Sequence, residues 1–250
     1  VAPWTQSLSL RWLPELSFYE RRTELLRQLE AEVLLVAFRF GEQSIGVQLE
    51  EHAVLDVQST GLSMRISSPR ASLDGPRTAL AAVLTDLSPQ RVTLSSVTAQ
   101  FLFPLDSPSE VAASQTANEL VAELSPDAQA TDWSILLDGQ SAKLGATFQV
   151  EYGVIGADEA PDRIGRVIGR VGADPAGQGH PDLIDVDAVP GSAFFFDWRW
   201  TPLTPIEDGG PSRVTEVWDA VTAESERLSR KMQARFSIAE GKIDELEARG

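Results

Sequence analysis

Between residues 33 and 68 the chain packs four apolar runs, VLLVAFRF, SIGVQLEE, AVLDVQS and LSMRISS, with little between them but GEQ, His52 and Thr60-Gly61. Connections this short can only reverse the chain, because a parallel neighbour needs a crossover of a dozen residues or more. The four runs are therefore expected to form an antiparallel meander.

What flanks the meander extends the pattern. Before it, SLSLRW alternates Leu8, Leu10 and Trp12 with polar residues, the period of a half-buried strand, and Pro14 ends it. From Ser17, a candidate N-cap, Phe18, Leu25, Leu26 and Leu29 recur at helical spacing to about Ala31. After the meander and Pro69, SLDGPRTALAAVLTDL places Leu80, Val83, Leu84 and Leu87 on one helical face, with Pro76 tolerated in the first turn.

The order then begins again. VTLSSVTAQFLFPL reads as a strand, and SPSEVAASQTANELVAEL as a helix capped by Ser107 or Ser109. WSILLDG, ATFQVEYGVIG, RIGRVIGRV and SAFFFDWRW read as four further strands, and a last long helix starts near Pro211-Ser212. Each half is thus strand, helix, four strands, helix, which reads as an internal duplication. The expected fold class is α+β: two pseudo-repeats, residues 1–90 and 91–250, forming one curved antiparallel sheet of about ten strands with the helices on one face.

This element order resembles the duplicated saddle of TATA-binding proteins and, more loosely, helix-grip folds. The basic concave face and paired wedge phenylalanines that would imply DNA binding are not found in the sequence, so the resemblance is one of architecture. The strand SAFFFDWRW, followed by an acidic loop and the closing helix from VTEVWDAV onward, also resembles the C-terminal end of an uncharacterised bacterial family of about 250 residues. In that family a strand with an aromatic-Asp-aromatic pattern precedes a long helix. The resemblance implies no activity.

Charge and cysteine usage narrow the function classes. With 37 acidic against 21 basic residues the net charge is −16, which repels polyanions, so nucleic acid is not an expected partner. No cysteine is present, which excludes disulfides, thiolate nucleophiles and Cys-ligated zinc, and fits a reducing compartment. No apolar run approaches the roughly 18 residues of a membrane span, and VAPWTQSLSLRW lacks the basic and apolar regions of a signal peptide. A cytoplasmic location is expected. Only Lys143, Lys231 and Lys242 are lysines among the basic residues, a bias associated with GC-rich bacterial or phage genomes.

Few residues stand out as chemistry. In DRIGRVIGRVG the glycines could cradle a phosphate, but the stretch lacks the helix start and the Lys-Ser or Lys-Thr pair of a nucleotide loop. A strand is the expected reading, with Arg166 and Arg170 on one face as the alternative anion contact. In FFFDWRW, Phe194, Phe196, Trp198 and Trp200 share one face, expected to pack under the helices and otherwise to form a ligand or partner surface. Asp197 and Arg199 share the other face, where they could join cross-strand ion pairs. His180, among Asp174, Asp182, Asp185 and Asp187, matches neither an EF-hand loop nor an HExxH helix, and His52 reads as a turn residue. There is no GxSxG elbow. No catalytic residue, metal or cofactor is assigned.

The sequence therefore points to a non-enzymatic bacterial or phage module that binds another macromolecule, through a protein partner or self-association. The alternative is a carrier or sensor holding an apolar small molecule between sheet and helix. In the closing helix, Val214, Trp218, Val221, Leu228 and Met232 form the expected anchoring stripe, interrupted by Ser225. The segment beyond about Phe236 is expected to project or to dock on another subunit.

Overall fold

The computed structural model describes residues 3–49, 52–67, 72–106, 112–124, 132–142, 145–156, 190, 192–204, 210–236 and 238. In chain order the elements are β1 (Thr5–Arg11), α1 (Phe18–Glu32), β2 (Leu35–Phe40), β3 (Ser44–Leu49), β4 (Ala53–Gln58), β5 (Gly61–Ile66), α2 (Asp74–Leu87) and β6 (Thr93–Pro104). They continue as α3 (Ala112–Leu124), β7 (Trp133–Ser141), β8 (Ala146–Ile155), β9 (Ala193–Pro202) and α4 (Pro211–Arg235). The protein is α+β, with these strands in a single nine-stranded sheet of order β2-β3-β4-β5-β1-β6-β9-β8-β7. Every neighbouring pair is antiparallel.

The meander expected from the short connections is β2 to β5. It does not close on itself: β1 adds to the free side of β5, and β6 adds to β1. The second half then runs β6-β9-β8-β7, with β8 paired directly to β9. The strand expected at 163–171, which would have made about ten, lies outside the described residues. Of the described helices none is long and apolar enough to cross a membrane.

Alternation sends one set of side chains from every central strand to a common face. Leu8 of β1 stands opposite Met64 of β5 and Val97 of β6, and Leu10 stands opposite Leu62 and Leu94. These side chains share one core cluster with Phe18, Leu25 and Leu29 of α1, Leu80, Val83 and Leu87 of α2, and Val214 and Trp218 of α4. Burying each such side chain is worth about 1.5–3 kcal/mol, which is what holds these helices to the sheet. Between helices, Arg21 of α1 pairs with Asp86 of α2 at 2.6 Å, and Arg77 of α2 pairs with Asp219 of α4 at 2.5 Å. From α3, the Ser114 hydroxyl accepts a hydrogen bond from the Trp133 indole of β7 at 3.0 Å.

Three local expectations are corrected. Ser17 precedes α1 in helical backbone conformation and its side chain makes no capping bond. Instead its hydroxyl and its N–H both donate to Glu15 Oε1, at 2.8 and 3.1 Å, and hold that carboxyl below its usual range, with Arg21 adding a smaller push the same way. In α4, Ser225 does not interrupt the buried stripe but belongs to it: Thr222, Ser225, Ser229 and Gln233 are all buried, whereas Leu228 and Met232 are half-buried. Hydroxyls can be buried there because the helix satisfies them itself, Ser225 Oγ donating to the Thr222 carbonyl at 2.7 Å and Ser229 Oγ to the Glu226 carbonyl at 3.0 Å. Finally, of the segment expected to project or dock beyond Phe236 only Ile238 is described, and it is buried, residues 237 and 239–250 lying outside the described residues. The Phe236 ring packs on Tyr152 and Phe194 at 5.4 and 5.3 Å between centroids, and Ile238 lies in the main core.

Candidate functional site

The aromatic stripe of β9 lies under the helices. Phe194, Phe196, Trp198 and Trp200 are at most 5% exposed and belong to the main core. Phe196 stands between Phe101 of β6 and Tyr152 of β8, and Trp198 between Ala99 and Val150. In this position they present no surface to a ligand or partner. Arg166 and Arg170 lie outside the described residues, as does His180. His52 sits between β3 and β4 with φ 56°, and its carbonyl accepts the Ser67 N–H at 3.0 Å, so it is a turn residue. Among the described residues no group of three or more His, Asp or Glu side chains is placed to hold a metal ion.

What the sheet offers to solvent is its other face. Strand register turns the polar alternates into rows. One row runs Arg65 of β5, Ser7 of β1, Thr98 of β6, Arg199 of β9, Gln149 of β8 and Asp138 of β7. The hydroxyls of Ser7 and Thr98 are hydrogen-bonded to each other, and Gln149 Nε2 donates to Asp138 Oδ1 at 3.0 Å. In the next row Ser63 stands beside Ser9, and Ser9 beside Ser96. A bulge follows between Ser9 and Leu10, so Ser95 is the extra residue of β6. Over this part of the face lies an open cleft of about 650 Å³. Arg11 and Arg199 line it, with Ser9, Ser96, Gln149 and Thr201 and, at its β7 side, Asp138.

Toward the other end the same face is closed. Leu102, Ile155, Ala193 and Phe195 are buried in a second, small apolar cluster with Trp4 against it. On the β4–β5 side, burial pushes the Asp56 carboxyl up, opposed by the charge of Arg39 and a hydrogen bond with Gln58, and Asp56 Oδ1 has no hydrogen-bond partner. Arg65 is 5% exposed, and loss of hydration moves its guanidinium below its ordinary value.

Among the described residues the outermost strands, β2 and β7, are apolar where an exposed edge is ordinarily charged or covered. On β2, Val36, Phe38 and Phe40 are 59, 52 and 48% exposed, beside Leu34 at 63%. Phe38 and Phe40 meet edge to face at 5.8 Å, and the Arg22 guanidinium lies over the Tyr19 and Phe40 rings. On β7, Ile135, Leu136 and Leu137 are three consecutive exposed apolar residues. Phe38, Phe40, Ile135 and Leu137 stand opposite core-facing residues of β3 and β8, so they point to the helix side beyond the reach of the central packing.

Sequence reading singled out the most aromatic strand and missed this surface. Ser7, Ser9 and Arg11 were readable as the polar side of the first strand, but their meeting with Thr98, Arg199 and Gln149 depends on β6 and β9 lying beside β1, which no local pattern encodes. Comparison of the chain with family models and with curated proteins finds no match to either.

Proposed function

We propose that the chain is a non-enzymatic protein-interaction module built from two copies of one strand–helix–meander–helix unit, residues 1–90 and 91–250, joined at the β1–β6 pair. The duplication is supported by the sheet order. On each side of that pair the last strand of the half lies next to the first, β5 beside β1 and β9 beside β6, and the remaining strands follow outward.

The observation that carries the interaction reading is the pair of apolar edges. Among the described residues β2 and β7 each pair on one side only, and both carry large apolar side chains at 41 to 59% exposure. That combination is a template for an added strand and for an apolar partner surface. The carrier reading requires an enclosed apolar space between sheet and helices. There the aromatic residues of β6, β8 and β9 are packed against α4, and the cleft on the opposite face is open and lined mainly by polar side chains.

The test is affinity capture from the source cells with the full chain beside a variant carrying Phe38→Lys and Leu137→Lys. The expected result is at least one protein, or the chain itself, retained by the parent and lost by a variant that melts at the same temperature. Retention of nothing, or of the same set by both, contradicts the proposal.

A further inference from the structure

Many arginines of this chain stand beside an acid. Arg21, Arg27, Arg77, Arg213, Arg227 and Arg230 each have a carboxylate within 4 Å, as 37 acidic residues against 21 basic ones make easy. Among the described residues Arg22, Arg91 and Arg235 have no such carboxylate, and neither do Arg11 and Arg199, which differ from those three in facing one cleft. Across the strands Arg199 faces Thr98 and Gln149; Asp197, two residues along β9, and Glu151, diagonal to it on β8, share its face without forming an ion pair with it, and Asp138 in its own row is two strands away, about 10 Å at the Cα atoms. Asp138 is occupied by Gln149, whose amide group donates to it at 3.0 Å. Arg11 ends β1 between Gly61 and Thr93, again with no acid beside it in register. The same cleft is lined by the hydroxyls of Ser9, Ser95, Ser96, Thr147 and Thr201, each able to donate a hydrogen bond, together with Gln149, Phe148 and, at the β7 side, Asp138.

Two unpaired guanidiniums with hydroxyl donors in the same cleft are what an oxyanion requires, and guanidinium matches carboxylate and phosphate through paired N–H donors. We propose that the cleft over β1, β6, β8 and β9 binds an oxyanion-bearing ligand, with Arg11 and Arg199 as its cations and the serine hydroxyls as additional donors. The site lies on the opposite face from Phe38, Phe40, Ile135 and Leu137 of the edges and does not depend on them. The overall charge of −16 opposes every anion at long range, so recognition here is by short-range hydrogen-bonded contacts. The anion can be a phosphate or a carboxylate, and the two are separated by probe.

Inorganic phosphate and, separately, a triglutamate peptide are titrated into the full chain, following the arginine Nε–H resonances by NMR. The expected result is saturable shifts of Arg11 and Arg199 with at least one probe, phosphate alone marking a phosphate site and the peptide alone a carboxylate site. Arg199→Gln and Arg11→Gln are each expected to weaken that binding about tenfold. Arg91→Gln, at a turn outside the cleft, leaves it unchanged. Saturation by neither probe overturns the proposal, as does equal weakening by Arg91→Gln. Should a glutamine variant unfold, Arg199→Lys takes its place. It keeps the charge and loses the paired donors, and unaltered affinity in that variant also overturns the proposal.

Discussion

Asp56 carries a pH dependence that can be worked out from its surroundings. Burial raises its carboxyl, so the folded chain holds that proton more tightly than the unfolded chain does. The resulting stability is complete below the ordinary Asp range and is lost as pH rises through the raised value. Asp56→Asn is therefore expected to flatten the fall in unfolding free energy as pH rises above the ordinary Asp range, and to leave the protein as stable or more so once the carboxyl is ionised, as read by urea unfolding. Gly153 makes a different kind of demand. It lies between Ser134 and Phe195 in register, and a β-carbon there would overlap the Trp133 carbonyl of β7. Since that obstacle is backbone, Gly153→Ala is expected to pull β7 from β8, with a lower melting temperature and faster amide exchange confined to those strands. Neither feature is legible in the sequence. An aspartate on a strand looks solvated and a glycine looks like a defect until the neighbouring strand is placed beside it.

At the scale of elements, apolar patterning and helical spacing were enough to locate β1 to β9 and α1, α2 and α4 within a few residues, because the helices and inner strands bury a face and the edge strands β2 and β7, with no buried residue, are still marked by apolar runs between short connections. They were not enough for the second half of α4, where the buried residues are Thr222, Ser225, Ser229 and Gln233. Small hydroxyl side chains bonded to their own helix let the backbone approach the sheet closely, and Thr222 Oγ1 reaches Gln6 Oε1 of β1 at 3.4 Å. A pattern search that counts only apolar residues discards such a stripe. Ser225 is fully buried, so Ser225→Leu is expected to overpack this contact and cost about 1–3 kcal/mol, whereas Ser225→Ala is expected to cost less. Ile238 extends the same packing beyond the helix. Ile238→Ala is expected to lose about 2–5 kcal/mol in equilibrium unfolding, and deletion from residue 237 at least as much.

For the whole molecule, the short connections made an antiparallel meander unavoidable, but the placement of β1 between β5 and β6 rests on pairings across 50 and more residues that no local pattern encodes. The excess of acidic residues acts at this scale too. Self-repulsion at a net charge of −16 destabilises the compact state, and raising sodium chloride from about 20 mM to about 500 mM is expected to raise the melting temperature by a few degrees. The surface ion pairs on α4 are too exposed for their screening to reverse that gain.

The position of β1 also has a consequence during synthesis. It leaves the ribosome before β2 to β9 and is one of the innermost in the finished sheet, with one side sealed by β5 and the other by β6. Once residue 87 has emerged, everything needed for the first five strands and two helices is present, while β6 through β9 are still unmade. In that interval the nascent chain exposes the side of β1 that later receives Val97 and Leu94, an apolar, unpaired border flanked by Leu8 and Leu10. The growing polypeptide is therefore stickiest midway through translation, and slow decoding just after residue 87 prolongs that state until β6 arrives to close the seam.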